Sequence, residues 1–168
     1  MSVLRRPCLS YLWDVLFLHS WSVNVLHTAA ARVAGLDMGF LPGEGGRDMA
    51  GILAGAQAGE IDMVYLLGAD EFDTEALRET FVVYQGHHGD AGASVADVIL
   101  PGSAYTEKNG LYVNTEGRVQ TTRLATFAPG DAREDWTILR ALSGALGQPL
   151  GFDDLEGLRQ SLIQAVPH

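Results

Sequence analysis

The most ligand-like cluster in this chain is His87-His88-Gly89-Asp90, with Gly86 before it and Gly92 just after. Imidazole suits zinc or iron, and glycines let a backbone approach an ion closely. Against a metal site, neighbouring side chains on one loop rarely converge on a single ion, and no third histidine is near. His87, His88 and Asp90 therefore read as groups whose hydrogen bonds pin a buried loop, where each polar atom must find a partner. A second constellation is Glu107, Asn114, Glu116 and Arg118. It could form an acid–base or anion site, or a charged network that fixes a hairpin against a sheet. An arginine beside two carboxylates is more usually paired than catalytic, which favours the network. Asp70, Glu71 and Asp73 could hold a cation, but Asp73 is well placed as an N-cap for residues 74–79. Gly43-Glu44-Gly45-Gly46 lacks the lysine and Ser/Thr of a phosphate loop, so it reads as a turn entering a helix. No serine occupies a Gly-x-Ser-x-Gly turn. The residues thus assign no catalytic, cofactor-binding or metal-ligating role.

Composition narrows the classes further. The 168 residues suffice for one domain with its own core, and an apolar content of 47% is that of a globular chain. A formal net charge of −10 repels phosphate backbones, so no nucleic-acid partner is expected. The single cysteine, Cys8, excludes an internal disulfide framework and a cysteine-ligated zinc or iron–sulfur site within the chain. No window offers the roughly twenty apolar residues of a membrane helix, so no direct membrane insertion is expected. Arg5 and Arg6 precede an apolar run, but Asp14 and His19 interrupt it and no good cleavage site follows directly.

The elements that must position these groups follow from periodicity and punctuation. Val23 to Val33 is alanine-rich with helical spacing, and Gly35 is placed to end it. A helix is expected from Asp48 to Ala58, with Met49, Ile52, Leu53 and Ala56 as its stripe and Gly59 as its stop. Met63–Leu67, Phe81–Gln85 and Asp97–Leu100 are short continuous apolar runs, read as parallel strands buried on both faces. A short helix capped by Asp73 joins the first two, and one turn near Ala93–Ala96 joins the second and third. Leu111–Asn114 and Arg118–Thr121 flank Thr115-Glu116-Gly117 as a hairpin. Asp131 heads a capping-box spacing for a helix that turns Trp136, Leu139, Leu142 and Leu146 inward. A last helix runs from Leu155 to Ala165. This order indicates an α/β, Rossmann-like three-layer domain with a mainly parallel sheet plus a hairpin.

Three pieces carry a resemblance: Ala96 to Pro101 (Ala-Asp-Val-Ile-Leu-Pro), Glu107 to Gly110 (Glu-Lys-Asn-Gly) and Asn114 to Gln120 (Asn-Thr-Glu-Gly-Arg-Val-Gln). This stretch resembles the molybdopterin oxidoreductases, and with His87-His88-Gly89-Asp90 it resembles the C-terminal region of the large iron–sulfur subunit of respiratory complex I. The likeness runs from near Trp21 to about Asp135 and continues more weakly to the end. Residues 1–20 do not match and read as an alternative start or a frameshift product; residues 21–168 read as the family-like domain.

The resemblance implies the same fold and a scaffold role within NADH-quinone oxidoreductase. It also implies that the histidine motif is not a metal site, and that iron–sulfur clusters belong to an upstream part of the full subunit, with no cofactor in this chain. The implied partners are other subunits of the peripheral arm. The implied location is the cytoplasmic face of a bacterial inner membrane, or the matrix side in a mitochondrion. The alternatives are part of a molybdopterin-dependent oxidoreductase, or a nucleotide- or anion-binding module built on Gly68-Ala69-Asp70 or Gly43 to Gly46.

Overall fold

The computed structural model describes residue 27 and residues 29–167. The expectations for residues 1–20, and for most of the helix placed from Val23, fall outside the described residues. Along the chain the elements are α1 (Arg32–Asp37), α2 (Met49–Gln57), β1 (Met63–Leu67), a 3-10 turn (Thr74–Leu77), β2 (Phe81–Gly86), α3 (Ala91–Val95), β3 (Val98–Pro101), β4 (Gly110–Val113), β5 (Val119–Thr122), α4 (Asp135–Ala145) and α5 (Leu155–Ala165). Strands β1, β2 and β3 form a parallel sheet in that order, with Tyr65 opposite Val83 and Gln85 opposite Leu100. Strands β4 and β5 form a separate antiparallel hairpin.

Side chains alternate across a strand, so the register sorts the sheet into two unlike faces. Val64, Leu66, Val82 and Tyr84 share one face. There Leu66, Val82 and Tyr84 meet Ala56 of α2 and Leu77 of the 3-10 turn, with Ala93 and Val95 of α3 packed against them. This is the apolar core; burying a Leu or Val side chain fully is worth about 1.5–3 kcal/mol. Tyr65, Val83 and Gln85 share the opposite face, with Leu100 beside them. The start of α4 meets that second face through Gln85, which makes the architecture three-layered.

The continuous apolar runs do mark parallel strands, but burial on both faces holds only for β2. Strands β1 and β3 are the two edges of this sheet, and Met63, Leu67, Val98 and Ile99 stay exposed. Pro101 ends β3 from within the strand, at an edge where its missing N–H breaks no ladder.

Caps fix several helix starts. Asp48 accepts from Gly51 N–H at 2.9 Å and Asp154 from Gly157 N–H at 2.7 Å, while Asp73 accepts from Glu75 N–H at 3.2 Å. Two boundaries differ from expectation. Gly35 lies inside α1, and Gly39 at φ 69° ends it, where the Phe40 N–H reaches back to the Gly35 carbonyl at 2.8 Å. Helix α4 starts at Asp135 with Glu134 at its cap, not at Asp131. The reason is that Arg133 is held extended beside β3: its N–H donates to the Pro101 carbonyl at 3.0 Å and its carbonyl accepts from Ser103 N–H at 2.8 Å. Leu146, expected inward, is 70% exposed at the helix C-cap.

Gly92 is one of the tight points of the core. A Cβ there would stand 2.7 Å from the Tyr84 ring and 2.9 Å from the Asp70 Cβ, and Tyr84 is too well packed to retreat. Gly92→Ala is expected to cost about 1–3 kcal/mol through overpacking. The check is the urea midpoint; an unchanged midpoint would mean that the ring has room to move.

Candidate functional site

The carboxyl ends of parallel strands are where an α/β sheet offers its loops to a ligand. Here those loops leave at Gly68–Asp70, Gly86–Asp90 and Gly102–Ser103. Asp70 caps a segment other than its own. Its carboxylate accepts from Gly92 N–H at 3.0 Å and ties the end of β1 to the start of α3. His87 and His88 are exposed, with ring centroids 4.1 Å apart and tilted by 47°. They do not pin a buried loop, because the loop stands outside the sheet end in solvent; the Asp70 contact anchors it instead. Asp90 is also exposed, occupies the cap position of α3 without a side-chain bond, and accepts from Ser94 N–H through its backbone carbonyl at 3.2 Å. No group of three or more His, Cys, Asp or Glu among the described residues could hold a metal ion. An open cleft of about 440 Å³ lies beside the histidines, with Glu107 and Asp131 on its wall.

The second constellation is not brought together as one network. Glu107 accepts from Ala104 N–H at 2.9 Å and closes its own turn. Asn114 accepts from the N–H groups of Glu116 and Arg118 at 3.0 and 2.9 Å, which shapes the hairpin turn with Gly117 at φ 79°. The side chains of Glu116 and Arg118 point to solvent, and neither takes part in an ion pair among the described residues. Asn109, just before β4, accepts from Leu124 N–H at 3.2 Å and holds the exit of β5.

The best-built polar centre joins residues that no sequence motif links. Gln85, near the end of β2, is 0% exposed. Its Oε1 accepts from the Tyr65 hydroxyl at 2.5 Å, and its Nε2 donates to Asp135 Oδ1 at 2.9 Å and to the Asp135 carbonyl at 3.3 Å. Asp135 Oδ2 is ion-paired with Lys108 Nζ. Gly102 makes room: a Cβ there would lie 2.9 Å from Asp135 Oδ1. The order Tyr65–Gln85–Asp135–Lys108 gives donor and acceptor in turn, so the amide can stand only one way round. One sequence signal was available, a glutamine closing the apolar run Phe81-Val82-Val83-Tyr84-Gln85.

Chemically this centre orients and neutralises. Asp135 is ion-paired with Lys108 and accepts from the Gln85 amide. Burial, and then the Asp135 carboxylate, push the Tyr65 phenol above the ordinary tyrosine value. Tyr84 is raised too, by burial first and then by Asp70 and Asp90. Next to this centre an open cleft of about 390 Å³ runs between the hairpin, α4 and α5, with Leu111, Trp136 and Leu158 on its mostly apolar wall.

Replacing Gln85 with leucine removes the amide and strands both the Tyr65 hydroxyl and an Asp135 oxygen. A loss of about 1–3 kcal/mol in urea unfolding is expected; a neutral result would mean that water takes over both groups. The raised phenols give a pH dependence whose sign is fixed. The folded chain holds these protons more tightly than the unfolded one. Their contribution is therefore complete below about pH 10 and is lost as pH rises through the folded values. Denaturation midpoints followed from about pH 9 to about pH 11 should fall, and Tyr65→Phe should flatten that fall. An unchanged slope in Tyr65→Phe would remove Tyr65 as a contributor.

The comparisons with known proteins agree with this geometry. A family model described as molybdopterin oxidoreductase matches residues 15–145. The mitochondrial NADH-ubiquinone oxidoreductase 78 kDa subunit of Candida albicans is 54% identical over 147 residues, covering 87% of this chain and 19% of its own. The NADH-ubiquinone oxidoreductase 75 kDa subunit of Reclinomonas americana is 50% identical over 145 residues, covering 86% of this chain and 20% of its own. The 78 kDa subunit of Neurospora crassa is 49% identical over 147 residues. This chain thus spans about a fifth of the length of these relatives. Among solved structures, acetylene hydratase from Pelobacter acetylenicus superposes with a TM-score of 0.51 at 17% identity, over 59% of this chain and 16% of that one, a likeness of fold alone. On its sequence match and its α/β architecture, the chain belongs to the molybdopterin oxidoreductase family.

Proposed function

We propose that this chain serves as a scaffold segment of an NADH-quinone oxidoreductase (complex I) subunit of the 75/78 kDa type, with no chemistry of its own. The observation that carries this reading is identity of about half over some 147 residues with subunits of that name. The site is compatible with it from the physical side: Tyr65, Gln85, Asp135 and Lys108 are bonded to one another, and no third His, Cys, Asp or Glu among the described residues joins His87 and His88 in a metal-binding group. Electron transfer from NADH towards quinone, and the iron–sulfur clusters that carry it, belong in this proposal to other parts of the subunit. The partners are neighbouring subunits of the peripheral arm. The setting is peripheral to a membrane, on the cytoplasmic face in a bacterium or the matrix side in a mitochondrion. No helix among the described residues is long and apolar enough to cross a membrane, which fits a peripheral place.

The test is native-gel separation of membranes from the source cell, followed by peptide mass spectrometry. Peptides from residues 29–167 are expected to migrate with an NADH-oxidising complex of high mass. A free species near 18.0 kDa, with none in the large complex, would overturn the proposal.

A further inference from the structure

The contact between Gln85 and the start of α4 lies between two unequal halves of the fold. The first half is the sheet β1–β3 with α2, the 3-10 turn and α3. Its core residues, Leu66, Leu77, Val82 and Tyr84, all lie on one face and are sealed within that half. The second half is α1, the hairpin, α4 and α5. It carries no fully buried apolar side chain among the described residues; α4 and α5 bury none at all. Its internal ties are the β4–β5 ladder, the Arg140 guanidinium on the Phe152 carbonyl at 2.8 Å and on Asp153 Oδ1 at 2.6 Å, and the Trp136–Phe152 ring contact at 6.4 Å.

Between the halves the packing is loose. An open cleft of about 630 Å³ is lined by Leu100 of β3 and by Ile138, Ala141 and Leu142 of α4. The polar joints that cross between the halves cluster at one end. They are Gln85 to Asp135, the Arg133 N–H to Pro101 and the Ser103 N–H to Arg133, with Lys108 closing on Asp135 from the hairpin side. Ser103 is 2% exposed and Gln85 is fully buried, while the Lys108 and Asp135 side chains at the rim of the joint stay 24% and 31% exposed.

We infer that the Gln85–Asp135–Lys108 joint is a clasp between two cooperative units, and that the second unit opens from the sheet without unfolding it. Local opening of this kind follows where apolar contacts are few and backbone hydrogen bonds lie near solvent. Lys108 is the trigger of the clasp. It offsets the charge of the carboxylate to which the Gln85 amide donates, and without it the partly exposed Asp135 side chain is held less firmly against Gln85.

The inference is tested by native-state amide hydrogen exchange of the full chain, read per residue across a denaturant series. In the unaltered protein, the amides of α4 and of β4–β5 should open at lower denaturant than the β2 amides, along a separate curve. Lys108→Met should speed exchange at Ser103, Arg133 and the α4 amides by about tenfold or more, the loss of one hydrogen bond to a charged group. The β2 amides should then change by less than about twofold. One common curve for all protected amides would overturn the inference, as would an equal rise in β2 on replacing Lys108. If Lys108→Met does not fold, the curves of the unaltered chain decide alone.

Discussion

A primary amide sealed from water needs partners for its oxygen and for its two N–H groups, and the arrangement around β2 supplies one to the oxygen and two to the nitrogen. Gln85 is drawn into the interior because it closes a run of apolar residues whose strand must lie in the middle of the sheet. Once there, it needs an O–H on one side and an acceptor on the other. Tyr65 on β1 supplies the first and Asp135 at the start of α4 the second. The carboxylate in turn needs a cation, which Lys108 provides, and space, which Gly102 leaves. A strand, a loop, a hairpin approach and a helix start are thereby fixed relative to one another by one chain of alternating donors and acceptors. Satisfied in full, such a chain specifies one arrangement; with any member missing, the rest become a cost.

The same demand settles where the polar residues at the carboxyl end of the sheet are placed. Asp135 is ion-paired with Lys108 and bonded to Gln85, while His87 and His88 are exposed. The capping aspartates, Asp48, Asp73 and Asp154, are used on backbone amides of their own helices, and Asp70 on the amide of a helix further along.

Much of the fold was legible in the sequence, and the reason is local. Met63–Leu67 and Phe81–Gln85 are apolar runs bounded by glycine and charge, and α2 and α5 begin at aspartates whose side chains do cap them. Asn114 and Gly117 set the hairpin by rules confined to a few residues. What was not legible depends on distance along the chain. Tyr65 and Gln85 are 20 residues apart, Lys108 and Asp135 are 27 apart, and Gln85 and Asp135 are 50 apart. No periodicity connects them. The same cause misplaced the start of α4. Asp131 has the right spacing for a capping box, but residues 131–133 lie beside β3, and a pairing partner thirty residues upstream outranks a local cap. Burial failed as a guide at the strand edges, because an apolar run reports what a strand can bury and not how many neighbours the sheet supplies.

The 50-residue separation also sets a clock. Gln85 leaves a ribosome 50 residues ahead of Asp135. At roughly 5–20 residues per second, the Gln85 amide N–H groups emerge about 3–10 s before their acceptor does. In that interval the sheet rests on its one apolar face, and the other face is open to any extended segment that offers an acceptor. The polar chain on that face is complete only once Asp135 has joined Gln85.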